Sequence, residues 1–336
     1  MRSAGTWLRL SYRQQGWEVF LIAVAAAAVG IGMFWVSSQM ESLRALRDAC
    51  LADNPQLCDA IVGRAYEPTQ TAQLLLRLSE LAPFAVGILL GAPLVAREVD
   101  GRTAQLAWTM SRSRTRWFVL RSAFVAMVAM LCMGLLAWSS DLAAALLDPS
   151  RDLTRDFNFA DARGPILVAR GFAALALAVL VGAVLGRVLP ALLAAIFVVA
   201  GIFIGFGLLD GAILKAEAQV VRTDPATGTG IPGDHWIDTG LELADGTDLT
   251  WDEVNQSGLR GRDVASQIAF TQDDRGCWYA SEADMAANQP VGCEVAWVVA
   301  GERYPGVTVR RSAMLGGLGI IGLVAAAFVV QRRRPE

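Results

Sequence analysis

Six apolar runs constrain this chain more than any other feature: 17–36, 81–96 (from 74 on a looser reading), 117–138, 166–185, 188–209 and 313–330. A helix needs roughly 18–20 apolar residues to cross about 30 Å of hydrocarbon, and the runs approach or exceed that length. One such run could be a core helix of a soluble protein. Six could not, because a soluble core has no use for repeated helices that are apolar on every side. With 54% hydrophobic residues among 336, the chain is expected to be an all-α polytopic membrane protein with six transmembrane helices. The first run is too long for a cleaved signal core and lacks a small-residue cleavage site, so it reads as an uncleaved signal anchor.

The formal net charge of −3 hides an asymmetry. If residues 1–16 are cytoplasmic, so are 97–117, 186–188 and 331–336, which together hold 12 Arg against 3 acids in 46 residues. The opposite segments, 38–80, 140–165 and 211–311, hold 15 Lys or Arg against 27 acids in 170 residues. Short Arg-rich loops stay in the cytoplasm, whereas long loops carry little orientation information. Both termini are therefore expected inside, with 211–311 outside.

The cysteines agree. Cys50 and Cys58 fall in the first outside loop, Cys277 and Cys293 in the last, and Cys132 in the third run. Two pairs on an oxidising side suggest two disulfides, each closed within its own loop; free thiols are the alternative. No metal site is expected, because His235 is the sole histidine and neither pair has further ligands beside it.

The chain then divides as follows. Residues 1–16 mix Trp7, Leu8, Leu10 and Tyr12 with Arg2, Arg9 and Arg13, which suits either an interfacial elbow or a basic tail without structure. Residues 17–210 hold the first five spans. Residues 211–311 are acidic and rich in Gly, Pro and Asp, and WIDTGLEL and TDLTWDEV flank Asp245-Gly246, a hairpin signal. CEVAWVVA at 293–300 reads as a further strand. A small β-containing insertion between helices 5 and 6 is expected there, followed by the last span and basic tail at 312–336.

Several chemistries are missing from the sequence. It contains no G-x-x-x-x-G-K-[ST] loop, and its single lysine is Lys215. H-E-x-x-H and G-x-S-x-G are absent too, and the basic segments lack the interleaved aromatics of a nucleic-acid surface. An enzyme is not expected, nor any cofactor in this chain.

Ionisable residues at lipid depth are costly and invite a functional reading. Glu80 and Arg170 sit at similar depth near the outer ends of the second and fourth runs. They either pair, line an outward cavity, or snorkel to the headgroups. Arg121, one turn inside the third run, is expected to snorkel inward. Gly87/Gly91, Gly182/Gly186 and Gly201/Gly205, with Gly316, Gly317, Gly319 and Gly322, have the spacing that lets helices approach closely in lipid.

Segment 97–117, REVDGRTAQLAWTMSRSRTRW, stands between two spans with five arginines and two acids. Pro93 and Gly101 mark an exit from the membrane, and Asp100 is placed to cap a short helix starting near Arg102. Thr103, Leu106, Ala107 and Met110 share one face of that helix, and Arg112, Arg114 and Arg116 return the chain to the membrane. Such an element could dock into a partner's groove and carry the partner's movement.

This stretch, extended to GAPLVAREVDGRTAQLAWTMSRSRTRW at 91–117, resembles the permease subunit of type-2 ATP-binding-cassette (ABC) exporters, in the form common in high-GC actinobacteria. RGPILVARGFAALALAVLVGAVLGRVLPAL at 163–192 resembles that family's fourth span, tight turn and fifth-span start, and LRLSYRQQGWEVF at 8–20 its interfacial elbow. The resemblance implies that 97–117 is a coupling helix touching a separate ATPase. Glu98, Gly101 and Thr103 match an acid–glycine–threonine pattern, Ser111 and Arg112 a Ser-Arg step, and Arg102, Leu106 and Met110 complete the contact. It further implies two copies of an ABC ATPase carrying ATP and Mg2+, a homodimer or heterodimer of permeases, a bacterial plasma membrane and export. Drug-like amphiphiles, peptides, lipids and glycans all remain open as substrate. A membrane sensor or scaffold with an external ligand-binding domain is the reading from a different class.

Overall fold

The computed structural model describes residues 4–53, 55–101, 113–147, 152–222, 234–243, 245–256, 271–272, 277–279, 282–288 and 292–333; side chains at 4–15, 44–53, 55–65, 255–256, 271–272, 278 and 282 lie outside that description. Two compact units emerge. One comprises Met1–Ser150, Phe159–Phe206 and Val307–Glu336, the other Arg151–Asn158 and Gly207–Gly306.

The first unit is helical. Its elements are α1 (Ala4–Asp53), α2 (Pro55–Asp100), α3 (Arg114–Leu147), α4 (Gly164–Leu185), the start of α5 (Val188–Glu217) and most of α8 (Tyr304–Arg332). Six helical stretches are long and apolar enough to cross a membrane, one in each of these helices. At about 1.5 Å per residue, the 22 residues of α4 rise about 33 Å, a bilayer's hydrocarbon core.

Three boundaries differ from the sequence reading. Residues 4–16 are the first turns of one continuous α1 rather than a separate elbow. The expected outside loop at 38–80 is almost entirely helix, because α1 runs on to Asp53 and α2 starts at Pro55. The second span is accordingly not short: it extends over Tyr66–Asp100 and includes Pro68, Pro83 and Pro93. Its polar residues had broken the apolar run, yet Ser79 is fully buried and its hydroxyl donates to the Leu75 carbonyl at 3.0 Å, so the helix absorbs it.

Lipid tails are as apolar as leucine, so helices associate in a bilayer through close packing rather than hydrophobic burial. The seam between α2 and α4 shows this. A Cβ added at Gly87 would stand 2.6 Å from the Ala174 Cβ, and one at Gly91 2.6 Å from the Leu175 carbonyl oxygen. One at Gly182 would strike the Ala92 carbonyl. Ile88, Ala92 and Ala96 pack with Ala174, Leu177 and Ala178, and with Ala191, Ala195 and Val199 of α5. On α8, Gly319 abuts Phe172 and Gly322 abuts Ala176. By contrast, a Cβ added at Gly201 or Gly205 would meet nothing within 4 Å among the described residues, so that pair forms no close seam with them.

The second unit holds a six-stranded antiparallel sheet between helices α5 and α8 in chain order: β1 (Gln219–Arg222), β2 (His235–Leu243), β3 (Asp248–Thr250), β4 (Thr271–Gln272), β5 (Cys277–Tyr279) and β6 (Gly292–Val299). β6 is central. β2 lies along one edge of it, while β1 and β5 share the other. The β2–β3 hairpin turns at Asp245-Gly246, with Gly246 at φ 81°, a left-handed conformation open to glycine. The rest of TDLTWDEV departs from the strand reading: Trp251–Gln256 is helix α6. Thr250 and Glu253 explain why. The Glu253 carboxylate accepts from the Thr250 N–H at 2.9 Å and the Thr250 hydroxyl accepts from the Glu253 N–H at 3.3 Å, a capping box that starts a helix. A short helix α7 (Glu282–Ala286) precedes β6. A disulfide joins Cys277 to Cys293, directly paired residues of β5 and β6, and packs with Tyr279 and Met285.

Candidate coupling face

One end of the helical unit gathers the C-termini of α2, α4 and α8 and the N-termini of α3 and α5, and carries a run of arginines; it is called the basic end below. Segment 102–112 connects α2 to α3 in the chain, and both helix ends it joins lie here. Arg102, Thr103, Leu106, Met110, Ser111 and Arg112 all belong to that segment and lie outside the described residues, so only Glu98 and Gly101 of the expected contact set are placed.

Gly101 closes α2, its N–H donating to the Arg97 carbonyl at 3.0 Å. Glu98 is turned into the protein. Its carboxylate accepts from Arg121 Nη1 of α3 at 2.6 Å, and each side chain is 5% exposed. Arg121 also lies 5.5 Å over the ring of Trp117, one turn earlier, the direction in which helix side chains tilt. The expected snorkelling of Arg121 is therefore corrected: the guanidinium does run towards the basic end, but Glu98 holds it inside the protein. Arg97 pairs with Glu18 of α1. Asp100 caps a helix other than the expected one, its Oδ2 accepting the Val188 N–H at 3.3 Å at the start of α5. There it meets the positive end of that helix's dipole.

The α3 side is built similarly. The Ser113 hydroxyl accepts from the Arg116 N–H at 3.1 Å, an N-cap the sequence reading passed over although serine before a helix is its ordinary signal. Arg114 Nη1 donates to the Arg333 carbonyl at 2.8 Å, and Gln331 Nε2 to Thr115 Oγ1 at 2.9 Å, joining α3 to the end of α8. Arg333 Nη1 donates in turn to the Ala183 carbonyl at 2.6 Å, in the last turn of α4. α4 stops at Gly186, φ 64°, and after Arg187 the chain enters α5. These links close a ring, from α2 through α3, α8, α4 and α5 back to α2, with α1 attached by Glu18.

The other expected residues lie elsewhere. Arg170 Nη1 donates to the Asp161 carbonyl at 3.1 Å, and its guanidinium stands 5.4 Å over Phe84 and 5.9 Å over Phe203. The Asp161 carboxylate lies 3.8 Å from Arg170 and 3.7 Å from Arg311. Glu80 is half-buried one turn from Phe84 and feels the charges of both Asp161 and Arg170, but no ion pair joins Glu80 to Arg170 among the described residues. Cys50 and Cys58 stand near the facing ends of α1 and α2, and their side chains are outside the described residues. Among the described residues, no three His, Cys, Asp or Glu side chains are placed to hold a metal ion.

Six apolar helices with charged residues collected at their ends define a multi-pass membrane protein. The sequence model of the family described as ABC-2 membrane transporter related matches residues 20–209, more than half of the chain, and the protein belongs to that family. It is thus a transporter permease of the ABC-2 kind, a membrane component that works with a separate ABC ATPase. No curated protein and no solved structure matches the chain.

Proposed function

We propose that this protein is the permease subunit of an ABC exporter of the actinobacterial type, in a bacterial plasma membrane. The observation that carries the reading is the family match across the first five helices. The basic end faces the cytoplasm, with both termini, and 211–311 faces outside, as the distribution of arginine favours. Two permeases, identical or different, dock two copies of an ATPase that hold ATP and Mg2+. The coupling helix lies within segment 97–117, between the ends of α2 and α3, with Arg102, Thr103, Leu106, Met110, Ser111 and Arg112 as its contact and Glu98 and Gly101 as its base. Closure of the ATPases pushes on it and switches the bundle between inward and outward openings. Glu80 and Arg170 mark the outward side of the path, and the substrate is a drug-like amphiphile, peptide, lipid or glycan.

Co-purification of the protein with an ABC ATPase, and the rate of that ATPase in lipid, test this. Replacing Leu106 and Met110 with Asp should abolish both association and stimulation, and unchanged values for both would remove the coupling reading. Charge reversal of Glu80 and Arg170, singly and together, tests their relation; failure of the double swap to rescue the single ones excludes a direct pair.

A further inference from the structure

The Glu98–Arg121 pair bridges α2 and α3, the two helices that 102–112 joins in the chain. Glu98 is three residues from Gly101, and Arg121 seven residues into α3. An ion pair this buried is poorly explained by stability, because desolvating two charges costs about what their attraction returns, and an apolar pair of similar size commonly serves as well. Arg121 sharpens the point: its Nε and Nη2 have no hydrogen-bond partner among the described residues, a further cost that a leucine or methionine would avoid. What the pair supplies and an apolar contact does not is a single geometry. A carboxylate and a guanidinium at 2.6 Å fix both separation and rotation, whereas apolar helix faces slide over one another. Trp117, 5% exposed beneath the guanidinium, holds it in that geometry.

We propose that Glu98 and Arg121 are positioning residues that lock the two stems of the coupling segment together, so that a push on it moves α2 and α3 as one body. This rests on the coupling reading above. From the locked stems the displacement enters the ring in both directions. On one side it passes through Asp100 to α5. On the other it passes through Arg114 to α8 and through Arg333 to α4.

The test uses the full-length protein in nanodiscs with the ABC ATPase that co-purifies with it, and compares wild type, Glu98→Leu/Arg121→Met and Glu98→Arg/Arg121→Glu. The two readouts are amide hydrogen exchange over 97–117 and permease-dependent ATPase stimulation. In the apolar double variant the melting temperature should hold, exchange should rise about tenfold or more, and stimulation should fall at least fivefold. The charge swap should recover part of both. Wild-type exchange in the apolar variant would overturn the proposal. Faster exchange with stimulation intact would overturn it too, since the lock would then have no part in coupling. Failure of the coupling reading itself is visible separately, as an unaffected Leu106→Asp/Met110→Asp variant. Should the apolar variant not fold, Arg121→Lys keeps the charge but loses the planar fork, and must move both readouts in the same direction by a smaller amount.

Discussion

The two units of this protein treat charge in opposite ways. In the helical unit the charges set within the apolar spans are taken inside, as with Glu98 and Arg121 at 2.6 Å, or Arg170 laid against Phe84 and Phe203. In the sheet unit they are many and exposed, and they serve the local backbone. Asp152 accepts from the Thr154 hydroxyl and N–H, Asp245 from the Thr247 N–H, and Glu253 from Thr250. The difference follows from the solvent. Where a helix has lipid around it a charge must find its partner in the protein, whereas a carboxylate in water gains by satisfying an N–H that a tight turn leaves open.

The comparison can be broken most severely at the buried pair. Glu98→Ala leaves Arg121 charged and buried, at a cost of about 3–5 kcal/mol, whereas Glu242→Ala, which breaks the ion pair with the exposed Arg222 in the sheet unit, should cost less than about 1 kcal/mol. Thermal unfolding in one detergent ranks the two, and equal losses would end the distinction. Next in size is the disulfide. Cys277→Ser/Cys293→Ser should destabilise the sheet unit by about 3 kcal/mol, visible as faster amide exchange in β5 and β6 with α2 and α4 unchanged.

Gly87→Val should cost about 1–3 kcal/mol by forcing α2 off α4. The same change at Gly201, with open space around it, should leave the melting point of the isolated protein where it was.

The smallest effect is that of pH on the sheet unit. Hydrogen bonds to Thr154, Arg222, Thr247 and Thr250 hold Asp152, Glu242, Asp245 and Glu253 below their ordinary values near 3.8 for Asp and 4.5 for Glu. A carboxylate whose folded pKa is depressed stabilises the fold above its unfolded pKa, and that stabilisation is lost as pH falls through the folded one. Amide exchange in the β2–β3 hairpin and α6 should therefore quicken below about pH 4.5 and stay flat from there to neutrality. A rise that began near pH 6 would contradict this origin.

Much of the helical unit was legible in the sequence because lipid demands length, and length is visible in a line of residues. The α2 extension was not, since Arg77, Ser79 and Glu80 interrupt an apolar run without interrupting a helix. The ionic ring was hidden for a different reason: its partners lie far apart in sequence, as Glu18 does from Arg97 or Arg114 from Arg333. One signal was available, since Glu98 and Arg121 are opposite charges each within about a turn of an apolar run's end. The capping box Thr250-Trp251-Asp252-Glu253 was legible too, but β-propensity in its neighbours masked it. The expected contact face at 102–112 lies outside the described residues, so for that face the sequence remains the whole of the argument.

The ring at the basic end has a consequence for biogenesis. Its links from α3 and to α4 run through Gln331 and Arg333, at the C-terminal end of α8, which follows the other five spans in the chain. Until α8 inserts, Arg114 has no α8 carbonyl to bind and the last turn of α4 keeps its Ala183 carbonyl without Arg333. Completion of the ring thus waits on correct insertion of α8, and a chain with α8 misplaced would leave the basic end open and slack.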